Sequence, residues 1–270
     1  MRRSSLAFAC LFLSPLSCSS EVATTGSGGG GHGGAGGDEG PPIVTELTPD
    51  APPLPGQTAC RVTITENLPN YGQTHEAICT HLEYVTNPPS SGNHWPIWAA
   101  FRTYDAPIPR EMYVHDLEHG AIVMTYRCDA STGAGGAGAG GSGGASSTGG
   151  ASSTGGASST GGAGGSGVGD DACDDIRAAF ANASSTYGVD PLCLSTDGGA
   201  VAARFVVTPD PLLDRPVGLS AWRATYTATC IDPPSLLAFI QAHYGNGPEK
   251  LCVQGKDPFD PANGVTSCPP

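Results

Sequence analysis

The sequence predicts an α+β fold: one domain, a mainly antiparallel sheet, two or more helices packed against one side of it, and stabilising disulfides. Three observations predict it. Alternating or continuous apolar runs dominate the chain before residue 130, and helical spacing appears after residue 170. Eight cysteines remain once the N-terminal leader is set aside, an even number that reads as a disulfide framework.

The leader comes first. Arg2 and Arg3 precede an apolar run from Leu6 to Leu13, too short to span a bilayer, and small residues follow. This is the layout of a secretory signal over residues 1–18. Leu16-Ser17-Cys18 resembles a bacterial lipobox, with Pro15 departing from its usual leucine, so Cys18 is the expected lipidation site. Ordinary cleavage near the same point is the alternative. The expected location is the cell envelope, as a membrane-anchored lipoprotein, or the exterior. The only membrane contact expected is the lipid anchor.

Glycine accounts for 40 of 270 residues, roughly twice the usual share, and is unevenly placed. Ten glycines lie in 26–40 and eighteen in 131–169. Residues 19–57, rich in Gly, Ser and Pro, read as a disordered tether in which His32 is merely solvated. Residues 131–169 carry Gly-Gly-Ala-Ser-Ser-Thr three times, at 143–148, 149–154 and 155–160. A β-solenoid needs a bulky apolar residue in each repeat, and these have none, so a flexible coil is expected. Such a coil can join two domains or form a loop within one, because closure entropy grows only logarithmically with length.

In the intervening stretches the elements read in order. Cys60–Thr65 and 78–85 alternate as strands, the latter with Ile78, Leu82 and Tyr84 on one face and Cys79, His81 and Glu83 on the other. Ala121–Tyr126 is a buried strand. Cys173, Ile176, Phe180, Ala183 and Tyr187 give a helix over 171–187, stopped by Gly188. Strands follow at 201–207 and 222–229. A helix fits 235–244, with Ser235 as its N-cap and Gly245 as its stop. The cysteines of this body are Cys60, Cys79, Cys128, Cys173, Cys193, Cys230, Cys252 and Cys268; their pairing does not follow from the sequence. No Cys-x-x-Cys occurs, which argues against a thioredoxin-type redox pair and a four-cysteine zinc site.

With 12 basic and 25 acidic residues the net charge is −13, and no basic cluster follows the leader, so no nucleic-acid partner is expected. The chemical signal lies in the histidines. Five of the seven fall between 75 and 119: His75, His81, His94, His115 and His119. The order His115-x-x-Glu118-His119 matches the inverzincin protease motif in its letters. On a helix its two histidines would share a face, and Glu118 would be the catalytic general base of a hydrolase. Gly120 and the strand at 121 end any such helix at the second histidine. No nucleophile elbow, Walker loop or dinucleotide fingerprint is present, and whether the protein is an enzyme stays open.

The stretch from His75 to Tyr126 resembles a bacterial family, the domain of unknown function 3105. The residues carrying the resemblance are His75, Tyr84, Asn87-Pro-Pro-Ser-Ser-Gly92, His94, Trp98, Tyr104, Val114-His-Asp-Leu-Glu-His-Gly120 and Tyr126. It resumes with Phe205-Val-Val-Thr-Pro209, Leu219-Ser-Ala-Trp222, Phe239, Tyr244 and Pro248-Glu249. The resemblance implies one domain over 58–268, with 131–169 as an insertion inside it. It implies no activity.

The metal-ligand candidates are His75, His94, His115 and His119 with Glu118, for copper or zinc, since imidazole suits both and no thiolate joins the set. The alternative is a structural or interaction module whose histidines satisfy buried hydrogen bonds, with Trp98 and Tyr104 as packing residues. His81 and His243 fall outside the family pattern.

Overall fold

The computed structural model describes residues 40–128, 170–194 and 201–268. The leader with Cys18, the first part of the tether and the tract at 131–169 lie outside the described residues. Chain order is β1 (Ile43–Leu47), β2 (Val62–Glu66), α1 (Arg110–Glu118), β3 (Ile122–Tyr126), α2 (Asp170–Ser184), β4 (Phe205–Pro209), β5 (Val217–Ala221), β6 (Ala224–Ala228) and α3 (Pro233–His243). Two single turns of 3-10 helix, Pro261–Asn263 and Val265–Ser267, follow.

The six strands form one sheet in the order β1-β2-β6-β5-β3-β4, antiparallel except for the parallel pair β3–β4. Strands from both sides of the 131–169 tract therefore share one sheet. A parallel pair needs a long crossover; here it runs from residue 127 to 204, includes α2 and carries the tract. Cys128 and Cys173 are bonded, which joins the two ends of the tract. The other pairs are Cys60–Cys230, Cys79–Cys268 and Cys193–Cys252.

Period-2 alternation distributes β3 between two cores. Ile122, Met124 and Tyr126 face a cluster with Ile176 and Phe180 of α2 and Leu236, Phe239 and Ile240 of α3. Val123 faces a second cluster with Met112, Tyr113, Val114 and Leu117 of α1, and with Trp95, Phe101 and Tyr104. The helices thus cover both faces, not one side as expected. The sequence reading lacked α1 as a core helix, and α1 supplies the second layer.

Other expectations are corrected locally. Residues 78–85 form no strand; Cys79 takes a positive φ of 73° at a turn, and its disulfide to Cys268 fixes it there. The coil expected through residue 57 ends sooner, because β1 finds a full antiparallel register on β2, from Ile43↔Glu66 to Leu47↔Val62. The strand expected at 201–207 is displaced to 205–209, where its pairing with β3 begins. β5 had no sequence signal: Val-Gly-Leu-Ser-Ala alternates poorly, and all five residues are buried. The N-cap of α3 is Asp232, whose carboxylate accepts from Ser235 N at 3.1 Å, with Pro233 and Pro234 opening the first turn.

Candidate metal centre

The sequence of α1, Arg-Glu-Met-Tyr-Val-His-Asp-Leu-Glu, is half polar, yet every residue from Glu111 to Glu118 is buried. A helix buried all round must find partners for its polar side chains. Glu111 accepts from Leu82 N at 3.0 Å and Asp116 from Ala99 N at 3.1 Å. Burial holds the Asp116 carboxyl well above its usual range. His115 and Glu118, one turn apart, face two histidines brought by other segments.

Those two, His75 and His94, sit side by side across a short parallel bridge in which Glu76 N donates to His94 O at 2.7 Å and His94 N to Thr74 O at 3.1 Å. The turn Asn87–Gly92, with a cis Asn87–Pro88 bond, leads into His94. Gly92 has φ of 142°, and a Cβ there would meet the Tyr84 ring at 3.0 Å, so glycine suits both conformation and space. Tyr84 Oη donates to Asn93 O at 3.0 Å, and Asn93 bonds both Thr74 N and Glu76.

The four side chains converge. Glu118 Oε2 stands 3.0 Å from His94 Nε2, 3.7 Å from His75 Nε2 and 3.9 Å from His115 Nε2. One ligand atom from each of His75, His94, His115 and Glu118 lies within 4.8 Å of all the others. His94 and His115 are buried, whereas about half of the His75 side chain is exposed, so the cluster opens to solvent there.

The outer ring nitrogens decide how the inner ones can act. His94 Nδ1 lies 2.8 Å from Gly92 O and His115 Nδ1 2.6 Å from Trp95 O. A carbonyl only accepts, so both Nδ1 atoms carry the proton and donate. In a neutral ring Nε2 is then a bare lone pair aimed at the cluster. Burial lowers His115 to about 3, against the hydrogen bond to Trp95 O, with neighbouring imidazoles adding to the drop. His115 is therefore neutral at neutral pH. Burial alone would raise Glu118, but the His94 hydrogen bond and the three imidazoles outweigh it and place the carboxyl below its ordinary range. His115 Nε2 thus presents a lone pair to a carboxylate that already shares a hydrogen bond with His94 Nε2 at 3.0 Å, and a cation could take the place of that proton.

His119 departs from expectation. It caps the C-terminus of α1 and is buried, with its ring 4.7 Å from that of His115, but it is not one of the four converging groups. Its Nδ1 lies 3.5 Å from Glu249 Oε2 and its ring meets Trp98 edge-on. Burial lowers it to about 4, partly opposed by Glu118. Of the motif's two histidines, only His115 is among the converging groups. The helix ends at Glu118, and Glu118 itself stands among the converging groups. Trp98 packs on His115 and His119. His81 is exposed beside Glu83 and Glu111, and His243 pairs with Glu66 at 3.0 Å. The carbonyls of Gly92 and Trp95 escaped the sequence reading; a glycine two residues before a histidine was the available signal for the first.

Residues 75–135 and 185–254 match the family described as protein of unknown function (DUF3105). The two matched segments contain all four converging residues, His119 and Glu249, and they flank the glycine-rich tract. No curated protein and no solved structure matches the chain.

Proposed function

We propose that this chain is an exported metal-binding protein of the cell envelope, anchored by lipid at Cys18, that holds one copper or zinc ion with His75, His94, His115 and Glu118. One observation carries the metal reading: two buried imidazoles fixed by backbone carbonyls on Nδ1 direct their Nε2 atoms at the same carboxylate. Outer-sphere acceptors on Nδ1 are the usual support of a ligating histidine, because they set its tautomer and raise its basicity. Three imidazoles and one carboxylate suit zinc and copper, and no thiolate biases the choice. The half-exposed His75 gives the ion its entry path. Export is supported by the basic-apolar leader and by four disulfides, which persist in oxidising compartments.

The test is elemental analysis of untagged protein after dialysis against zinc or copper. About one equivalent is expected, falling to trace levels in His75→Ala and in Glu118→Gln. His75 is half exposed and Glu118→Gln preserves shape, so both variants should fold. Full metal binding by both would overturn the site. Absence of metal from the parent chain would leave the four residues to the fold, as a hydrogen-bonded cluster closed by a proton between His94 and Glu118.

A further inference from the structure

The turn that carries Glu118 is held from outside by a segment ending in a disulfide. Glu249 N donates to Glu118 O at 3.0 Å and Gly245 N to Gly120 O at 2.8 Å. Gly247 lies so close that a Cβ there would stand 2.2 Å from Glu118 O and 2.3 Å from Gly120 N. Further along, Cys252 is bonded to Cys193. Arg204 joins this bond to the same turn. Its Nη2 lies 3.2 Å from Cys193 Sγ and 3.9 Å from Cys252 Sγ, while Nη1 donates to His119 O. The disulfide therefore reaches the end of α1 by two routes, through the 245–252 segment and through one guanidinium.

We propose that Cys193–Cys252 is an exchangeable bond that governs metal retention, and that its partner is a protein dithiol. The proposal rests on the metal-binding reading above. Cys193 is buried and Cys252 only partly so, which makes Cys252 Sγ the reachable atom. The partner's thiolate attacks it, a mixed disulfide forms, and the Cys193–Cys252 bond breaks with its electron pair leaving on Cys193 Sγ. The Arg204 guanidinium beside that sulfur favours its departure as thiolate. Cys193 then takes a proton and donates it in a hydrogen bond to Asp190 Oδ2, 3.0 Å away. The partner's second thiolate attacks its own mixed-disulfide sulfur and releases Cys252, which is protonated in turn. Two electrons pass from the dithiol, which ends as a disulfide. Leu192, Leu194, Leu251 and Val253 flank the two cysteines in sequence and are all exposed. Such an apolar collar favours a protein over a small thiol as the docking partner. Once the bond opens, residues 245–252 lose their tether, the clamp on Glu118 and Gly120 loosens, and the ligand geometry fixed by α1 relaxes.

The experiment titrates zinc-loaded full-length protein with dithiothreitol. Opened cysteines are assigned by differential alkylation and mass spectrometry, and freed zinc is read with a chromogenic chelator. Cys193 and Cys252 should open before the other three pairs, with zinc released in step. The double variant Cys193→Ala/Cys252→Ala should bind zinc at least tenfold more weakly, while Cys60→Ala/Cys230→Ala keeps the parent affinity. If Cys193–Cys252 opens last, or opens with zinc retained, the proposal is overturned. If the oxidised parent chain binds neither zinc nor copper, the metal reading has failed separately. The clamp is then judged by hydrogen exchange at Gly120 and Ala121, and unchanged protection after reduction rejects it.

Discussion

Two buried polar clusters meet at the turn ending α1, and they are built on opposite principles. On one side Arg204 and Asp190, both fully buried, form a closed set. Arg204 Nε lies 2.6 Å from Asp190 Oδ2, Tyr244 Oη donates to Asp190 Oδ1 at 3.1 Å, and Leu192 N donates to the same oxygen at 3.0 Å. Charge meets countercharge and donors meet acceptors. On the other side three imidazoles converge on one carboxylate, and of the three only His94 Nε2 is within hydrogen-bond distance of it, at 3.0 Å. A structure can tolerate the first arrangement as it stands. The second leaves the Nε2 atoms of His75 and His115 3.7 and 3.9 Å from the carboxylate, and this difference separates a structural cluster from a candidate site.

The largest effect comes from opening the closed cluster. Arg204→Met leaves the Asp190 carboxylate buried beside a disulfide, which should cost about 3–5 kcal/mol, read as a lower urea midpoint. Adding Asp190→Asn should recover part of that loss, because a neutral amide needs no countercharge. No single ligand variant of the open cluster should cost as much in the metal-free protein. If His94→Ala or His115→Ala destabilises the metal-free chain as strongly as Arg204→Met, the four residues are a folding cluster and the contrast fails.

A smaller effect separates the clusters by pH. Burial lowers His115 to about 3 and His119 to about 4, whereas the unfolded chain protonates both near 6.5. As pH falls below 6.5 the unfolded state therefore binds protons that the folded state refuses, and stability drops until the folded values are reached. Between pH 7 and pH 5 the metal-free protein should lose about 4 kcal/mol, half from each ring, and above pH 7 these rings contribute almost no slope. Urea titrations at pH 8, 6 and 5 measure it. Arg204 adds to the burial that keeps His119 neutral, so Arg204→Met should make the slope shallower. A flat stability profile would mean that the rings are solvated and not held neutral by burial.

The sequence was most readable where one rule dominated. β3 announced itself as an apolar run, and α2 by its spacing of Ile176, Phe180 and Ala183. Three of the four converging residues, His75, His94 and His115, stood out as imidazoles in a chain poor in them, and Glu118 by its motif. What could not be read depended on long-range partners. α1 is a buried helix of polar residues, which no amphipathic pattern reveals, and its polar groups are satisfied by Leu82, Ala99 and Trp95 from a loop region without periodicity. β5 becomes a strand because β3 and β6 flank it. The exclusion of His119 depends on where the helix ends, a matter of one residue.

The smallest effect tests how the open cluster is braced. Tyr84 Oη donates to Asn93 O at 3.0 Å, and Asn93 immediately precedes His94 in the turn that Gly92 allows to pass under the Tyr84 ring. Tyr84→Phe keeps the ring and removes only the hydroxyl, at a cost of about 1 kcal/mol for a single hydrogen bond. If the brace merely supports the fold, that loss appears in the urea midpoint and zinc affinity is unchanged. If it holds His94 Nε2 toward Glu118, zinc affinity should also fall, by about fivefold, because freedom restored to one ligand must be surrendered again on binding. The same variant leaves the Arg204–Asp190 cluster untouched, so a zinc defect with little loss of stability would locate the brace in the site itself.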